Sequence, residues 1–110
     1  MATTYKILGQ ARPTDANVAD LYTVPSSTSS VVSTITATNV DGTASNISIY
    51  VVPNGDTAGA DNALVYQAEL AGSSVQSFTI GITLAAGDKL AVQSATGSST
   101  TYQAFGSEVS

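Results

Sequence analysis

Apolar and polar residues alternate along most of the chain, and this alternation constrains the fold more than any other feature of the sequence. Residues 31–40 show it best, because the odd positions are mainly apolar and Thr34, Thr36 and Thr38 occupy even ones. Successive side chains of a β-strand point to opposite faces of a sheet, so residues two apart share a face. The segment is therefore predicted to be a strand with an apolar face toward the core and a threonine face toward solvent.

The same alternation recurs along the chain, and turn residues such as Asp41-Gly42 separate the alternating segments. These segments are residues 4–8, 21–24, 46–52, 63–70, 75–82, 89–94 and 100–109. Short strands at this spacing are typical of antiparallel sandwiches and barrels. We predict an all-β protein, a single antiparallel β-sandwich of jelly-roll or immunoglobulin-like type with about 7–8 strands. Its predicted core consists of Ile35, Ile47, Ile49, Val51, Leu64, Tyr66, Phe78, Ile80, Leu90 and Val92.

A chain of 110 residues is long enough for one domain with one sizeable core. Residues 1–20 are less regular and contain Pro13, so they are predicted to form an N-terminal arm or an edge strand beside a sandwich of residues 21–110. No apolar run exceeds four residues, whereas a membrane-spanning helix needs about 20. We therefore expect neither a membrane span nor a secretory signal.

The composition excludes several classes of function. The chain has no His, Cys or Trp and only 11 charged residues, with a net charge of −5. Catalysis by His or Cys, zinc fingers and disulfides are thereby excluded. Three basic residues argue against binding to nucleic acid or to an anionic membrane. No enzyme is expected, because the serines have no adjacent base and the aspartates fall in predicted turns.

The loop that follows residue 52 is rich in oxygen ligands, carried by Asn54, Asp56, Asp61 and Asn62. Such a loop either holds Ca²⁺ or simply uses the residues that turns prefer. The spacing fits no defined calcium loop, so we expect no metal and no cofactor.

Four residues are predicted to contact a partner. Tyr50 falls on the polar face of its strand, which marks either an exposed apolar spot or a face covered by a neighbour. Tyr5, Lys6 and Arg12 lie in the N-terminal segment, which holds two of the three basic residues of an acidic chain. We expect this segment to contact a neighbouring subunit, the alternative being a frayed terminus. Exposed tyrosines also suit contact with a glycan.

Several stretches together resemble a known family. They are residues 4–10 (TYKILGQ), 21–25 (LYTVP), 31–35 (VVSTI), 82–92 (ITLAAGDKLAV) and 105–110 (FGSEVS). In this order they resemble small virion structural proteins of tailed bacteriophages, especially phages of cyanobacteria and other aquatic bacteria. The resemblance spans nearly the whole chain, but it consists of strand and turn patterns. It implies a β-sandwich that serves as a building block of the phage particle.

The resemblance leaves the position on the particle open. The first expectation is a capsid decoration (cement) protein that bridges major capsid protein subunits on the surface of the virion, after synthesis in the cytoplasm of the host bacterium. It would be a homo-oligomer, with a trimer favoured, because many weak contacts repeated on a symmetric lattice add through avidity. The alternative is a tail or fibre-associated adhesion module that binds a glycan of the host surface.

Overall fold

Strands dominate residues 2–110, the part of the chain that the computed structural model describes, and one turn of 3₁₀-helix at Ala60–Asn62 accompanies them. The prediction of an all-β protein is thus confirmed. Met1, the first residue of the predicted N-terminal segment, lies outside the described residues. The strands are β1 (Thr3–Ala11), β2 (Ala19–Thr23), β3 (Ser29–Asn39), β4 (Ser45–Val52), β5 (Ala63–Leu70), β6 (Val75–Phe78), β7 (Ile82–Leu84), β8 (Lys89–Ser94) and β9 (Thr100–Val109).

The strands form two antiparallel sheets that pack face to face. Sheet 1 has the order β1-β9-β3-β6, and β7 pairs with β3 beside β6. Sheet 2 has the order β2-β8-β4-β5. The segment predicted as an arm or an edge strand thus contains β1, which pairs with β9 along its length at the edge of sheet 1.

The pairing is nested, and this identifies the type of sandwich. β4 pairs with β5, β3 with β6 and β7, β2 with β8, and β1 with β9, as in one long hairpin folded over on itself. Because β6 and β7 share one partner, they count as a single interrupted strand. The result is the eight-strand arrangement of a jelly roll, which is one of the two predicted architectures.

The core lies between the sheets and contains much of the predicted set. Ile35, Ile47, Ile49, Leu90 and Val92 are fully buried, as predicted, and Val51 and Phe78 are half-buried against them. Further fully buried residues that the alternation did not single out are Val24, Val32, Leu84 and Tyr102.

Leu64 and Tyr66 were predicted to lie in the core, and the structure shows that both are exposed. The reason is that the pairing of β4 with β5 shifts register twice, between Ile47 and Ile49 and again between Ile49 and Tyr50. The first shift inserts an extra residue at the Tyr66-Gln67 pair and reverses which side chains face inward, so Val65 takes the inward position; the second leaves Leu64 as an extra, unpaired residue. Val65 packs against the core in their place.

Ile80 was also predicted to be in the core, and its side chain is 53% exposed. The predicted strand at residues 75–82 is interrupted, because Gly81 adopts a positive φ of 62° between β6 and β7. This conformation is readily adopted by glycine and turns the chain out of the sheet. Ile80 stands at that turn and points to solvent.

The threonine face of β3 is as predicted, since Thr34, Thr36 and Thr38 are partly exposed while Ile35 is buried. Before Ser33 the pattern reverses, because the pairing with β9 shifts register between Val32 and Thr34. The hydroxyl of Ser33 donates to the carbonyl of Phe105 at 3.1 Å, which holds the bulge.

Candidate interaction surface

The outer face of sheet 1 carries an exposed apolar strip formed by Tyr5, Ile7, Val31 and Phe105. Tyr5 and Val31 both lie opposite Ser107 of β9, and Ile7 lies opposite Phe105. Tyr5 is 84% exposed and Ile7 53%. Beside Ile7 lies a shallow depression of about 600 Å³, lined by Tyr5, Lys6, Val31, Ser33, Phe105, Gly106 and Ser107.

Two bulges position the apolar strip. β1 shifts register opposite Phe105 and Ala104, and β3 shifts register opposite Gly106 and Phe105, so the two bulges flank Phe105 on either side of β9. Beyond the bulge of β1, the outer face is occupied by polar side chains, beginning with Gln10, whose amide donates to Gln103 at 2.8 Å. The apolar strip therefore ends at a polar rim. An exposed apolar patch with such a rim is typical of a surface that binds another protein.

A polar cluster lies at one end of the sandwich, next to the apolar strip. Lys6 Nζ lies 3.2 Å from Glu108 Oε1, and the hydroxyl of Tyr22 donates to Glu108 Oε2 at 2.6 Å. Because Tyr22 has one proton to give, Ser30 supplies the proton for the second bond to the Tyr22 oxygen, also at 2.6 Å. This end cluster of Lys6, Tyr22, Ser30 and Glu108 joins β2 of sheet 2 to three strands of sheet 1.

The end cluster shifts the pKa values of two of its members. Burial raises the pKa of Tyr22 to about 12, with the hydrogen bond to Glu108 as a second cause. The hydrogen bond from Tyr22 lowers the pKa of Glu108, and Lys6 contributes in the same direction. The ammonium group of Lys6, predicted to contact a partner, is thus paired within the chain, while its side chain stays 44% exposed.

Arg12 lies far from the other predicted contact residues. It follows β1, seven residues beyond Tyr5, which corresponds to roughly 23 Å along a strand. Its Nε donates to the carbonyl of Ser98 at 2.9 Å, in the turn between β8 and β9. The structure therefore brings Tyr5 and Lys6 together but does not bring Arg12 to them.

Tyr50 is 3% exposed on the outer face of sheet 2. The chain's own loop covers it: Tyr50 belongs to a small apolar cluster to which Ala58 and Ala63, at the loop and its end, contribute. Its hydroxyl donates to Gln93 at 2.9 Å. The exposed aromatic residue here is Tyr66, whose ring meets that of Tyr50 edge to face at 6.4 Å.

In the oxygen-rich loop, the side chain of Asn62 is used in the loop's own turn. The amide of Asn62 accepts from the backbone N–H of Gly59 and donates to the carbonyl of Thr57, each at 3.1 Å. Among residues 2–110, no three His, Cys, Asp or Glu side chains cluster as a metal site would require. No helix within that range is long and apolar enough to cross a membrane.

Sequence reasoning placed Tyr5 in a predicted contact but missed Ile7, Val31 and Phe105. The alternation of residues 4–8 does put Ile7 on the same face as Tyr5, so the signal for that residue was present. Val31 was assigned to the core face, because the bulge at Ser33 has no mark in the sequence.

Comparison with known proteins adds little to this geometry. No protein-family model and no curated protein matches the chain. Among solved structures, a chain in the structure of infectious bursal disease virus Gx strain matches 97% of this chain at 13% identity, with a TM-score of 0.48. One in the structure of the Gt strain of that virus matches 96% at 12% identity, with a TM-score of 0.45. This chain spans about 30% of the length of those chains.

Proposed function

We propose that the chain is a non-enzymatic structural protein of a virus particle, and specifically a capsid decoration protein of a tailed bacteriophage. It would sit on the head and bridge neighbouring major capsid protein subunits. The sequence resemblance described above supports this role. The nested topology is compatible with it, because jelly rolls are common in viral capsid domains, although the same fold serves lectins and other proteins.

The observation that carries the proposal is the apolar strip on the flat outer face of sheet 1. A side chain as exposed as Tyr5 gains little from packing within its own chain, and it gains free energy when a partner covers it. Tyr5 and Ile7 of the strip lie on β1 itself, an edge strand that presents one unpaired row of backbone groups. Face and edge together offer one continuous surface for a capsid subunit or for a second copy of the chain.

The low charge of the surface suits such a contact. Only two ion pairs are present among residues 2–110, and both involve partly exposed side chains. Contacts formed by apolar and hydroxyl groups are less sensitive to salt than ion pairs, whose attraction is screened. We further propose that the protein acts as a homo-oligomer, with a trimer favoured at sites where capsid subunits meet. Arg12 would then serve a separate contact from Tyr5 and Lys6.

Replacing the apolar strip tests the proposal. The double variant Tyr5→Ser with Ile7→Ser should decorate particles at least about 30-fold less tightly, the expected loss when an aromatic hot spot of about 2 kcal/mol is removed. Copy number per particle, measured by quantitative mass spectrometry, and oligomer mass in solution are the measurements. Because both side chains are exposed, the melting temperature should not fall.

The matched control is Val75→Ser, which removes an apolar side chain of similar exposure from another edge of sheet 1. It should leave decoration unchanged. Equal decoration by the double variant and the wild-type protein would refute the proposed contact. Deleting residues 2–12 is a poorer test, because it would remove β1 from the sandwich and take Leu8 out of the core.

A further inference from the structure

A second depression lies on the outer face of sheet 2 and has a different chemistry. Its lining consists of Asn46, Ser48, Gln67, Gln93 and Ala95, and its volume is about 250 Å³. We call it the amide depression, because three of its five side chains are carboxamides. No charged side chain lines it. Sites for drug-sized ligands begin at about 300 Å³, so this depression suits one small ring.

The backbone at Gln67 is held in a conformation that residues with a side chain seldom adopt. Its φ is 51°, in the left-handed region, and the strained residue lies in a bulge of β5. The N–H of Gln67 donates to Ser48 Oγ at 2.9 Å, which fixes the bulge over β4. Strain of this kind is often kept where it positions a functional group. Here the strained backbone places the amide of Gln67 at the rim of the depression, and this amide makes no contribution to the packing of the core.

The polar groups of the amide depression divide into fixed and available ones. Gln93 is fixed, since its carbonyl accepts from Tyr50 and its amino group donates to the carbonyl of Ala16, each at 2.9 Å. The side-chain amides of Asn46 and Gln67 have no hydrogen-bond partner among residues 2–110 and are exposed. Each can therefore donate and accept at the same time.

An exposed aromatic ring stands outside the lining of the depression, next to one of these amides in the chain. Tyr66 precedes Gln67 in the bulge and is 52% exposed. Its ring is held in place by the edge-to-face contact with Tyr50, whose own hydroxyl reaches Gln93. The contact fixes the position of a half-exposed ring that the apolar core does not use.

We propose that the amide depression, with Tyr66 at its side, binds a neutral carbohydrate through one pyranose ring. Sugar hydroxyls both donate and accept hydrogen bonds, which matches the two available amides, and the C–H face of a pyranose matches the face of a tyrosine ring. The absence of charge in the lining favours a neutral sugar over an anionic one. A site this open should bind a monosaccharide weakly, with a dissociation constant on the order of 1 mM.

The inference goes beyond the proposed decoration role and does not depend on it. The two sites lie on the outer faces of opposite sheets, so a subunit bound through sheet 1 would leave sheet 2 free. Many copies on one particle would then turn a weak interaction into strong attachment to a surface that carries repeated sugars.

A titration of the ¹⁵N-labelled protein with neutral sugars tests the site. The probes are D-glucose, D-galactose, D-mannose and N-acetylglucosamine, each added to about 50 mM, well above the expected dissociation constant. At least one should shift the side-chain amide signals of Asn46 and Gln67 and the backbone signals near Tyr66. If none of the four shifts these signals, or if the shifts are equally large on sheet 1, the proposal is refuted.

Variants separate binding from folding. Gln67→Gly removes the amide and relieves the positive φ, so it should raise the dissociation constant for the sugar about tenfold without lowering the melting temperature. Tyr66→Ala should raise it similarly. Gln10→Ala, which removes an exposed carboxamide from the outer face of sheet 1, is the matched control and should bind as the wild type does. Gln67→Gly should decorate particles normally, so failure here is distinguishable from failure of the decoration role.

Discussion

At the scale of single residues, Tyr22 ties the stability of the fold to alkaline pH. Its pKa is raised from 10.0 to about 12, so the folded protein holds the phenolic proton more tightly than the unfolded chain does. The stability gained this way is complete below pH 10 and is lost as the pH rises toward about 12. Tyr22→Phe should therefore lose less stability with rising pH, measured as the free energy of unfolding in urea between about pH 8 and 11.

The same variant has a cost at neutral pH. Without the Tyr22 hydroxyl, Glu108 loses a donor, and the free energy of unfolding should fall by roughly 1–2 kcal/mol. On the acid side, Glu108 contributes stability above its ordinary pKa of 4.5 that is lost as the pH falls through its lowered value, and Tyr22→Phe should weaken this dependence. Tyr66→Phe is the control. Burial also raises the pKa of Tyr102, so part of the alkaline loss should remain; an alkaline profile identical to wild type would contradict the assignment to Tyr22.

Two isoleucines with the same predicted role should respond very differently to truncation. Ile35 is fully buried, so Ile35→Ala should cost roughly 2–5 kcal/mol through lost burial and the cavity left behind. Ile80 is exposed, so Ile80→Ala should change the stability by no more than about 0.5 kcal/mol. Urea denaturation of the two variants measures the difference. Equal losses would mean that Ile80 belongs to the core after all.

At the scale of elements, alternation alone predicted where strands occur but not always which face points inward. β4, and β3 from Thr34 onward, could be read correctly, because the extra residues of the β4–β5 pairing lie in β5 and leave the alternation of Ile47 and Ile49 intact. The inward face of β5 could not be predicted, because its two bulges fall at Leu64 and in the Tyr66-Gln67 pair. None of these residues is a glycine, so the sequence gives no sign that the ladder shifts there.

The break between β6 and β7 does have a mark in the sequence, and it can be tested. Gly81 has a positive φ, and open space surrounds the position of an added Cβ. Gly81→Ala should therefore destabilise the protein by about 1 kcal/mol through backbone strain alone. Gly42→Ala is the matched control, since Gly42 also faces open space but has no positive φ. It should be neutral or slightly stabilising, and thermal unfolding of both variants makes the comparison.

At the scale of the whole molecule, the position of a surface depends on contacts between distant segments, and these the sequence did not reveal. The alternation placed Tyr5 and Ile7 on one face, but Phe105 joins them only because β9 pairs with β1. Tyr50 was correctly placed on the face away from the core. That its own loop covers it depends on the path of residues 53–62, which no local pattern determines.

The number of copies on a particle separates the two roles that the resemblance left open. A decoration protein that bridges capsid subunits should be present once per bridging site over the whole head. A tail or fibre component should be present in a few copies. The quantitative mass spectrometry proposed for the apolar strip also gives this number, and a count of only a few copies would favour the tail or fibre role over the proposed decoration role.

The pairing of β1 with β9 also bears on when the protein can fold in the cell. About 90 residues separate the two strands, and at a synthesis rate of 5–20 residues per second the ribosome needs roughly 5–20 s to make them. An all-β domain of this size folds in milliseconds to seconds once its chain is complete. During synthesis, the backbone groups of β1 that pair with β9 therefore remain unpaired. The nascent chain is most exposed to wrong pairing, and to chaperones, in the seconds before β9 emerges.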